Sequence, residues 1–401
     1  MPDNARAAGG NDVVIASYAR TPMGGFQGDL AGVSATALGA TAIRAAVERA
    51  KLPPELVERV YMGCVLPAGL GQAPARQAAL GAGLPLSAEA TTLNKMCGSG
   101  MQAAIMAHEA LLAGSVEVIV AGGMESMSNA PYLLAKHRTG ARMGHDIVSD
   151  SMFLDGLEDA YTKGKPMGFF AENSARDYNF SREAQDDYAI RSLERAQAAI
   201  ATGAFDAEVT PVVIHGRGGE VRVTQDEQPG KARLDKIRSL KAAFVPGGTI
   251  TAANASSISD GAAALVMTRR DVAERLGLPV VARLVAHAAH AHEPGLFATA
   301  PVPAMRKLLA KAGWSVDSVD LFEVNAAFAV VAMIAAQELN IPAEKLNING
   351  GACALGHPIG ASGARIIATL IAALQRRGLK RGGASLCIGG GEATAVAVEL
   401  V

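Results

Sequence analysis

AIRAAVERAKLPPELVERVYMG (residues 42–63) and AMRKLLAKAGWSVDSVDLFEVN (residues 304–325) carry one pattern twice, 262 residues apart. In each, a helix with basic residues runs into a turn, an acidic step and a short apolar strand. At nearly the same offset CGSGM (97–101) falls on GASGA (360–364), with Ser and Gly in matching places. Each copy then predicts a helix (101–113; 364–377), a glycine-containing turn, an apolar strand (116–121; 384–388) and a glycine pair or triplet. The chain therefore reads as one α/β half used twice. Strands alternating with helices predict parallel sheets covered on both faces, with the two halves packed on each other. Chemistry in such sheets gathers at the carboxyl ends of strands. That rule brings Cys97 and the loops near 325, 357 and 387 together as candidates for one shared site.

The rest of the composition fits this architecture. At 401 residues the chain is too long for one ordinary core. Half of it is hydrophobic and only 4% aromatic, which suits tight packing of small side chains. A net charge of −1 provides no field for nucleic acid or an anionic membrane. The longest apolar run, VNAAFAVVAMIAA (324–336), is too short for a bilayer and predicts a buried helix. MPDNARAAGGND, at the start, lacks the apolar stretch of a secretory leader. Cysteines at 64, 97, 353 and 387 show no C-x-x-C spacing, so neither zinc nor a redox pair is expected. A cytoplasmic protein with free thiols is the expectation.

From 129 to 250 the chain is more polar and holds one clear amphipathic helix. Ser181 is its expected N-cap, with Ala189, Leu193, Ala196 and Ile200 on one face. This stretch reads as an insert. The expected division is an N-terminal half over 1–128 completed by 251–279, an inserted loop domain over 129–250, and a C-terminal half over 280–401.

Four stretches carry the candidate chemistry. In NKMCGSGM (94–101), Cys97 sits between a strand and a helix start. Backbone N–H groups and the helix dipole there are expected to lower its pKa, and the glycines let a bulky acyl group approach. The overlapping GSGMQA imitates a dinucleotide fingerprint, but the next strand ends in Gly122 rather than an acidic residue, which argues against NAD. In GGACALGHPIGASG (350–363), His357 lies between Gly356 and Pro358 in a loop, placed to exchange protons with a ligand. In LCIGGGEATA (386–395), Cys387 ends a strand before three glycines whose N–H groups can form an oxyanion hole. In FEVNAAFAV (322–330), Asn325 is either an N-cap or the holder of a catalytic water. The HAAHAH run at 287–292 reads as a strand end or surface loop, with no ligand-spaced acidic or thiol partner.

Together these stretches resemble the thiolases, along with RTPMGGFQGDL (20–30), VAGGMESMSNAPY (120–132), DGLEDAY (155–161) and TAANASSISDGAAA (251–264). The resemblance covers nearly the whole chain. It implies a layered α/β/α/β/α core of two βαβαβαββ halves with an inserted CoA-binding loop domain. It also implies an acyltransferase that reversibly condenses two acetyl-CoA into acetoacetyl-CoA and CoA, with no metal and no cofactor beyond these thioester substrates. By motif, Cys97 is the nucleophile that becomes acetylated, His357 draws off its proton, and Cys387 removes the α-proton of the second acetyl-CoA. His357 with a water on Asn325 forms one oxyanion hole; the N–H groups of Cys97 and Gly389 form the other. Leu157, Met167, Phe244, Ala252, Ser256 and Phe328 are the implied CoA contacts, and Lys231, Arg233, Lys236, Arg238 and Lys241 form a basic stretch that could meet its phosphates. A homotetramer is implied, with no nucleic-acid or membrane partner. The chain departs from the family at Ala326, usually Glu, at Pro166, often His, and at Glu392, commonly small or apolar. Two rivals stay open: a thiolase of broader chain length acting in fatty-acid degradation, and a CoA-binding relative impaired by Ala326.

Overall fold

A computed structural model describes residues 12–216 and 219–401. The first half runs β1 (Val13–Arg20), α1 (Ala35–Arg49), β2 (Arg59–Gly63), α2 (Pro74–Gly81), β3 (Glu89–Leu93), α3 (Ser99–Leu112) and β4 (Val118–Ser126). Residues 127–258 follow, carrying α4 (Met167–Asp177) and α5 (Arg182–Ala201), before β5 (Ser259–Arg269) closes the half. The second half repeats the series: β6 (Ala282–Ala291), α6 (Pro301–Ala312), β7 (Leu321–Val324), α7 (Ala329–Leu339), α8 (Ser362–Arg377), β8 (Arg381–Ile388) and β9 (Glu392–Leu400). Its counterpart of β3 has shrunk to a single bridge between Leu346 and Phe322. The quoted repeat thus spans α1–β2 in one half and α6–β7 in the other.

The strands are ordered β7-β8-β9-β6-β1-β5-β4-β2-β3. This corrects the expectation of parallel sheets: only β3-β2-β4 and β7-β8 are parallel, and every pair between β4 and β8 is antiparallel. For β8 and β9 connection length is the reason, since a parallel neighbour needs a helical crossover and a short turn allows only an antiparallel one. Gly389, Gly390 and Gly391 join β8 directly to β9. In the first half the equivalent connection, β4 to β5, has been opened to hold residues 127–258. The two halves meet where β1 pairs with β6, Val14 opposite Arg283 and Ile15 opposite Ala282.

Side-chain alternation builds three apolar layers around the two sheet halves. Val14, Val60 and Val120 face outward onto α1 and α2, whereas Ile15, Tyr61 and Ile119 face a central layer made of α3 and α8. Leu386, Val396 and Val398 close that central layer from the other side, and α6 and α7 cover the second half's outer face. Outer helices have one apolar stripe: in α6, Met305 and Leu308 are buried while Arg306, Lys307 and Lys311 are exposed. The central α8 is buried all round from Ser362 to Leu374. Each Ile, Leu or Val taken fully out of water here contributes about 1.5–3 kcal/mol before the entropy of ordering it is subtracted.

α5 follows its expected pattern. The Ser181 hydroxyl accepts from the Ala184 N–H at 3.2 Å, and Leu193 and Ala196 pack with Phe205, Ile237, Ala354 and Leu355. The inserted segment is thereby anchored two residues before His357. The HAAHAH run falls at the end of β6, as expected: His287 and His290 lie in its last five residues and His292 just beyond; the His287 ring meets His108 edge-on at 5.2 Å. Among the described residues no group of His, Cys, Asp and Glu could hold a metal ion.

Candidate active site

Cys97 is presented by a tight loop between β3 and α3. The Asn94 side chain accepts from the Met96 N–H at 2.9 Å, and Met96 takes a left-handed φ of 47°. The Ser99 hydroxyl accepts from the Lys95 N–H at 2.8 Å and donates to the Met96 carbonyl at 2.6 Å. A non-glycine residue held at positive φ by such bonds is strain of the kind found where a side chain must project into a site. The half-buried Cys97 thiol faces two backbone donors, its own N–H and that of Gly389. Both favour the thiolate, as the sequence led one to expect. The expected net shift is nevertheless overturned: burial is the larger effect and pushes the thiol up to about 11, with the Glu125 carboxylate adding to the rise. Cys387, buried at the end of β8, is pushed well above the ordinary thiol range by burial and by the neighbouring Cys97.

His357 is held from three sides. Gly356 before it has φ 101°, and a Cβ there would lie 2.2 Å from the Ser259 hydroxyl, so only glycine fits. The His357 N–H donates to the Ser257 carbonyl at 3.2 Å. Nδ1 lies 2.6 Å from the Ser362 hydroxyl, whose own proton goes to the Pro358 carbonyl at 2.9 Å. A carbonyl only accepts, so Nδ1 must be the donor to Ser362, and the lone pair falls on Nε2. That Nε2 is buried and has no hydrogen-bond partner among the described residues. Burial and the Arg365 charge push the imidazole down to about 3, which keeps it neutral and able to accept a proton.

The two serines explain the matched Ser-Gly pairs of the repeat. Ser99 ties down the Cys97 loop and Ser362 ties down the His357 loop. Behind them α3 and α8 touch at their first turns. A Cβ at Gly100 would lie 2.8 Å from the Ala364 nitrogen, and one at Gly363 would lie 2.3 Å from the Met101 nitrogen.

Asn325 is not an N-cap: α7 begins at Ala329, with Phe328 in the cap position. The Asn325 N–H donates to the Ser385 carbonyl at 3.0 Å, Oδ1 accepts from Arg365 Nη2 at 3.2 Å, and Nδ2 lies 3.4 Å from His357 Nδ1. Neither anchor involves the buried Ala326, whose carbonyl accepts from the Cys353 thiol at 3.3 Å. The unusual Glu392 pairs with Lys95, linking the loop before Cys97 to the loop after Cys387.

The implied CoA contacts fall into connected groups. Leu157 ends a π-helical turn and packs in a small cluster with Leu66, Ile359 and Cys97. Met167 lies against Gly389, 3.9 Å from a Cβ placed there. The Phe244 and Phe328 rings meet edge-on at 5.8 Å, and the Ser256 N–H donates to the Ala327 carbonyl at 2.8 Å. Ala252 lines a cleft of about 280 Å³ with Arg233, Lys236, Ser257 and Cys353. Of the basic stretch, Lys231 is bound to Asp29 and Glu227, and Arg238 to Asp187. Arg233 and Lys236 reach the cleft.

Sequence reasoning missed Ser362, Arg365 and Glu125. The first was visible as the repeat-mate of Ser99. Glu125 is fully buried, accepts from the N–H groups of Val65, Leu66 and Gly360 at 2.8–3.1 Å, and is pushed up to about 7 by burial. It straps the His357 loop to the segment that follows β2, a role that no local pattern announces.

Comparison with known proteins agrees with this geometry. Residues 13–271 match the thiolase N-terminal domain and residues 278–400 the thiolase C-terminal domain. Acetyl-CoA acetyltransferase 2 of Arabidopsis thaliana is 49% identical over all of both chains. The cytosolic acetyl-CoA acetyltransferase of Mus musculus is 46% identical, covering 98% of this chain and 99% of the relative. The crystal structure of the Bacillus anthracis acetyl-CoA acetyltransferase superposes with a TM-score of 0.95 at 40% identity, over 98% of this chain and 99% of that one. With both halves matched in order and relatives aligned from end to end, the chain belongs to the thiolase family.

Proposed function

We propose that this thiolase-family acyltransferase is an acetyl-CoA C-acetyltransferase that condenses two acetyl-CoA into acetoacetyl-CoA and CoA, and runs the reverse thiolysis. The observation that carries the reading is the Cys97 thiol set between two backbone N–H donors, its own and that of Gly389, with Cys387 beside it. With Cys97 near 11 and His357 near 3, the resting pair is a neutral thiol and a neutral imidazole. Proton transfer to His357 Nε2 then accompanies attack of Sγ on the acetyl carbonyl. The carbonyl oxygen gains charge between the two N–H groups, the C–S bond to CoA breaks, and CoA leaves with the Cys387 proton, so that Cys387 is left a thiolate and His357 an imidazolium with an N–H at Nε2. In the second half-reaction Cys387 removes the α-proton of a second acetyl-CoA. His357 and Asn325 stabilise the enolate oxygen, the new C–C bond forms, and Cys97 is released. Kinetics of this kind are ping-pong.

CoA thioesters are the reactants and no further cofactor takes part. The Ala252 cleft with Arg233 and Lys236 receives the CoA body, while Leu157, Met167, Phe244, Ser256 and Phe328 line the way to Cys97. We assign 1–128 with 251–279 and 280–401 to the two catalytic halves and 129–250 to the CoA-binding loop domain. The protein is a cytoplasmic homotetramer; no helix among the described residues is long and apolar enough to cross a membrane. Exposed Tyr132, Leu134, Met143, Ile147 and Val148, on one excursion of the inserted segment, supply a surface for subunit contact.

The test is intact-mass spectrometry after brief incubation with acetyl-CoA. One acetyl group on Cys97, absent from Cys97→Ser, is expected. Bound CoA without any adduct would overturn the reading in favour of a silent CoA binder.

A further inference from the structure

Behind His357 and Asn325 lies a buried set of charges that the reaction above does not use. Arg365, in the first turn of α8, is 1% exposed. Its Nη2 donates to Asn325 Oδ1 at 3.2 Å, and its Nη1 lies 3.6 Å from Glu323, two residues before Asn325. Farther back, Glu208 accepts from Arg20 at 2.7 Å and from Thr369, one turn along α8, at 3.2 Å. Arg20 also grips Asp226 with two bonds, at 2.6 and 2.9 Å.

A side-chain amide has one accepting and one donating end, and burial alone does not choose between them. A guanidinium has donors only. Arg365 therefore holds Oδ1 on its own side; Nδ2 takes the other end of the amide, 3.4 Å from the His357 Nδ1–H, a contact of two donors that gives the amide no anchor there. Were the amide reversed, a carbonyl oxygen would face the place where negative charge develops. Arg365 would then be left with a donor facing donors, a costly mismatch in a buried site. Among the described residues no other side chain fixes the Asn325 amide, and Ala326 beside it has no carboxylate to offer.

We propose, on the acetyl-transfer reading above, that Arg365 is a positioning residue for carbon–carbon bond formation: held by Glu323, it locks the Asn325 amide with its N–H donors turned towards the enolate oxygen. The effect is specific to one half-reaction. The first transfer puts its oxyanion between the N–H groups of Cys97 and Gly389, which Arg365 does not touch, and loss of the charge that depresses His357 would ease rather than hinder its uptake of the Cys97 proton.

The experiment compares the rate of Cys97 acetylation by acetyl-CoA, followed by rapid quench and intact mass, with steady-state condensation. It uses the full-length protein, Arg365→Met, Arg365→Lys and the double variant Arg365→Met/Glu323→Gln. Condensation in Arg365→Met should fall about 10- to 100-fold, at or below the range for loss of an oxyanion-hole donor, while acetylation falls by no more than about threefold. Arg365→Lys, which keeps the charge without the fork, should recover part of the loss. The double variant removes the buried carboxyl left without its cation and should regain stability but not condensation. It carries the same test if Arg365→Met does not fold. Equal losses in both half-reactions, or condensation restored in the double variant, would overturn the proposal. Failure of the parent protein to acetylate Cys97 at all would overturn the acetyl-transfer reading instead.

Discussion

Burial governs ionisation around Cys97, and the protein answers it with hydrogen bonds that fix where protons sit. Ser362 is the clearest case, because its single proton is committed to Pro358 and leaves Nδ1 of His357 only one role. Ser362→Ala would strand a buried N–H, at a cost of about 1–3 kcal/mol, and free the ring to turn or change tautomer. Activity should fall about 10- to 100-fold, as when other histidine-orienting partners are lost. Steady-state kinetics with a denaturation curve would test this, and unchanged turnover in a folded variant would refute it. Glu323 offers a pH test. Burial pushes it up to about 8 from an ordinary value of 4.5. Between those values the native protein holds a proton that the unfolded chain has released, so stability is lost as pH rises through that window. Glu323→Gln does not titrate, and its melting temperature relative to the parent should improve from pH 4.5 to pH 9. An unchanging difference would place the ionisation elsewhere. The catalytic candidates were legible because reactive side chains sat among glycines at predicted strand ends. Arg365 was not so legible, although one arginine inside the apolar run ARIIATLIAAL was a faint sign of a buried charge. Nor could the sequence weigh desolvation of Cys97 against its N–H donors, since that balance depends on walls contributed by distant loops.

At the scale of elements, the repeat predicted from the sequence resolves into a helix contact. Gly100 and Gly363, equivalent in the two halves, let α3 and α8 approach until backbone meets backbone. Gly363→Ala would drive a Cβ to 2.3 Å from the Met101 nitrogen, which only backbone movement can relieve. The expected loss is about 1–3 kcal/mol or more, as for overpacked cores, and both catalytic loops should be displaced with it. Gly32→Ala is the control: nothing lies within 4 Å of its Cβ position. Urea denaturation should show a shift of no more than about 0.5 kcal/mol for that surface change. Equal stability of Gly363→Ala and the parent would mean the helices can part without cost. Helix positions and the Ser181 cap were readable from periodicity. The antiparallel centre of the sheet was not, because β4 and β5 pair across 132 intervening residues and no local pattern records that pairing.

For the whole molecule, the place of the insertion matters more than its composition. The β4–β5 connection is equivalent to the Gly389–Gly391 turn, whose Gly389 faces Cys97. Opening that connection hangs the inserted segment over the site, with α5 pinned against Ala354 and Leu355 beside the His357 loop. One arm of the segment, residues 134–148, is exposed throughout. Its short hairpin, Tyr132–Leu133 against Ser149–Asp150, brackets a fully exposed Met143 and the exposed Ile147 and Val148. Apolar groups clustered on one exposed arm mark a contact with another protein surface. In the proposed homotetramer that surface is another copy of the chain, because closed symmetric assemblies let one patch serve every subunit. Met143→Ser/Ile147→Ser/Val148→Ser should lower the sedimenting mass while leaving the melting temperature of the subunit core within a few degrees, since no core side chain is touched. Acetylation of Cys97 should survive, because none of the three substituted residues is among the groups placed around Cys97. A parent protein that sediments as a monomer would remove the assembly from the proposal. A variant that stays tetrameric would move the interface off this arm.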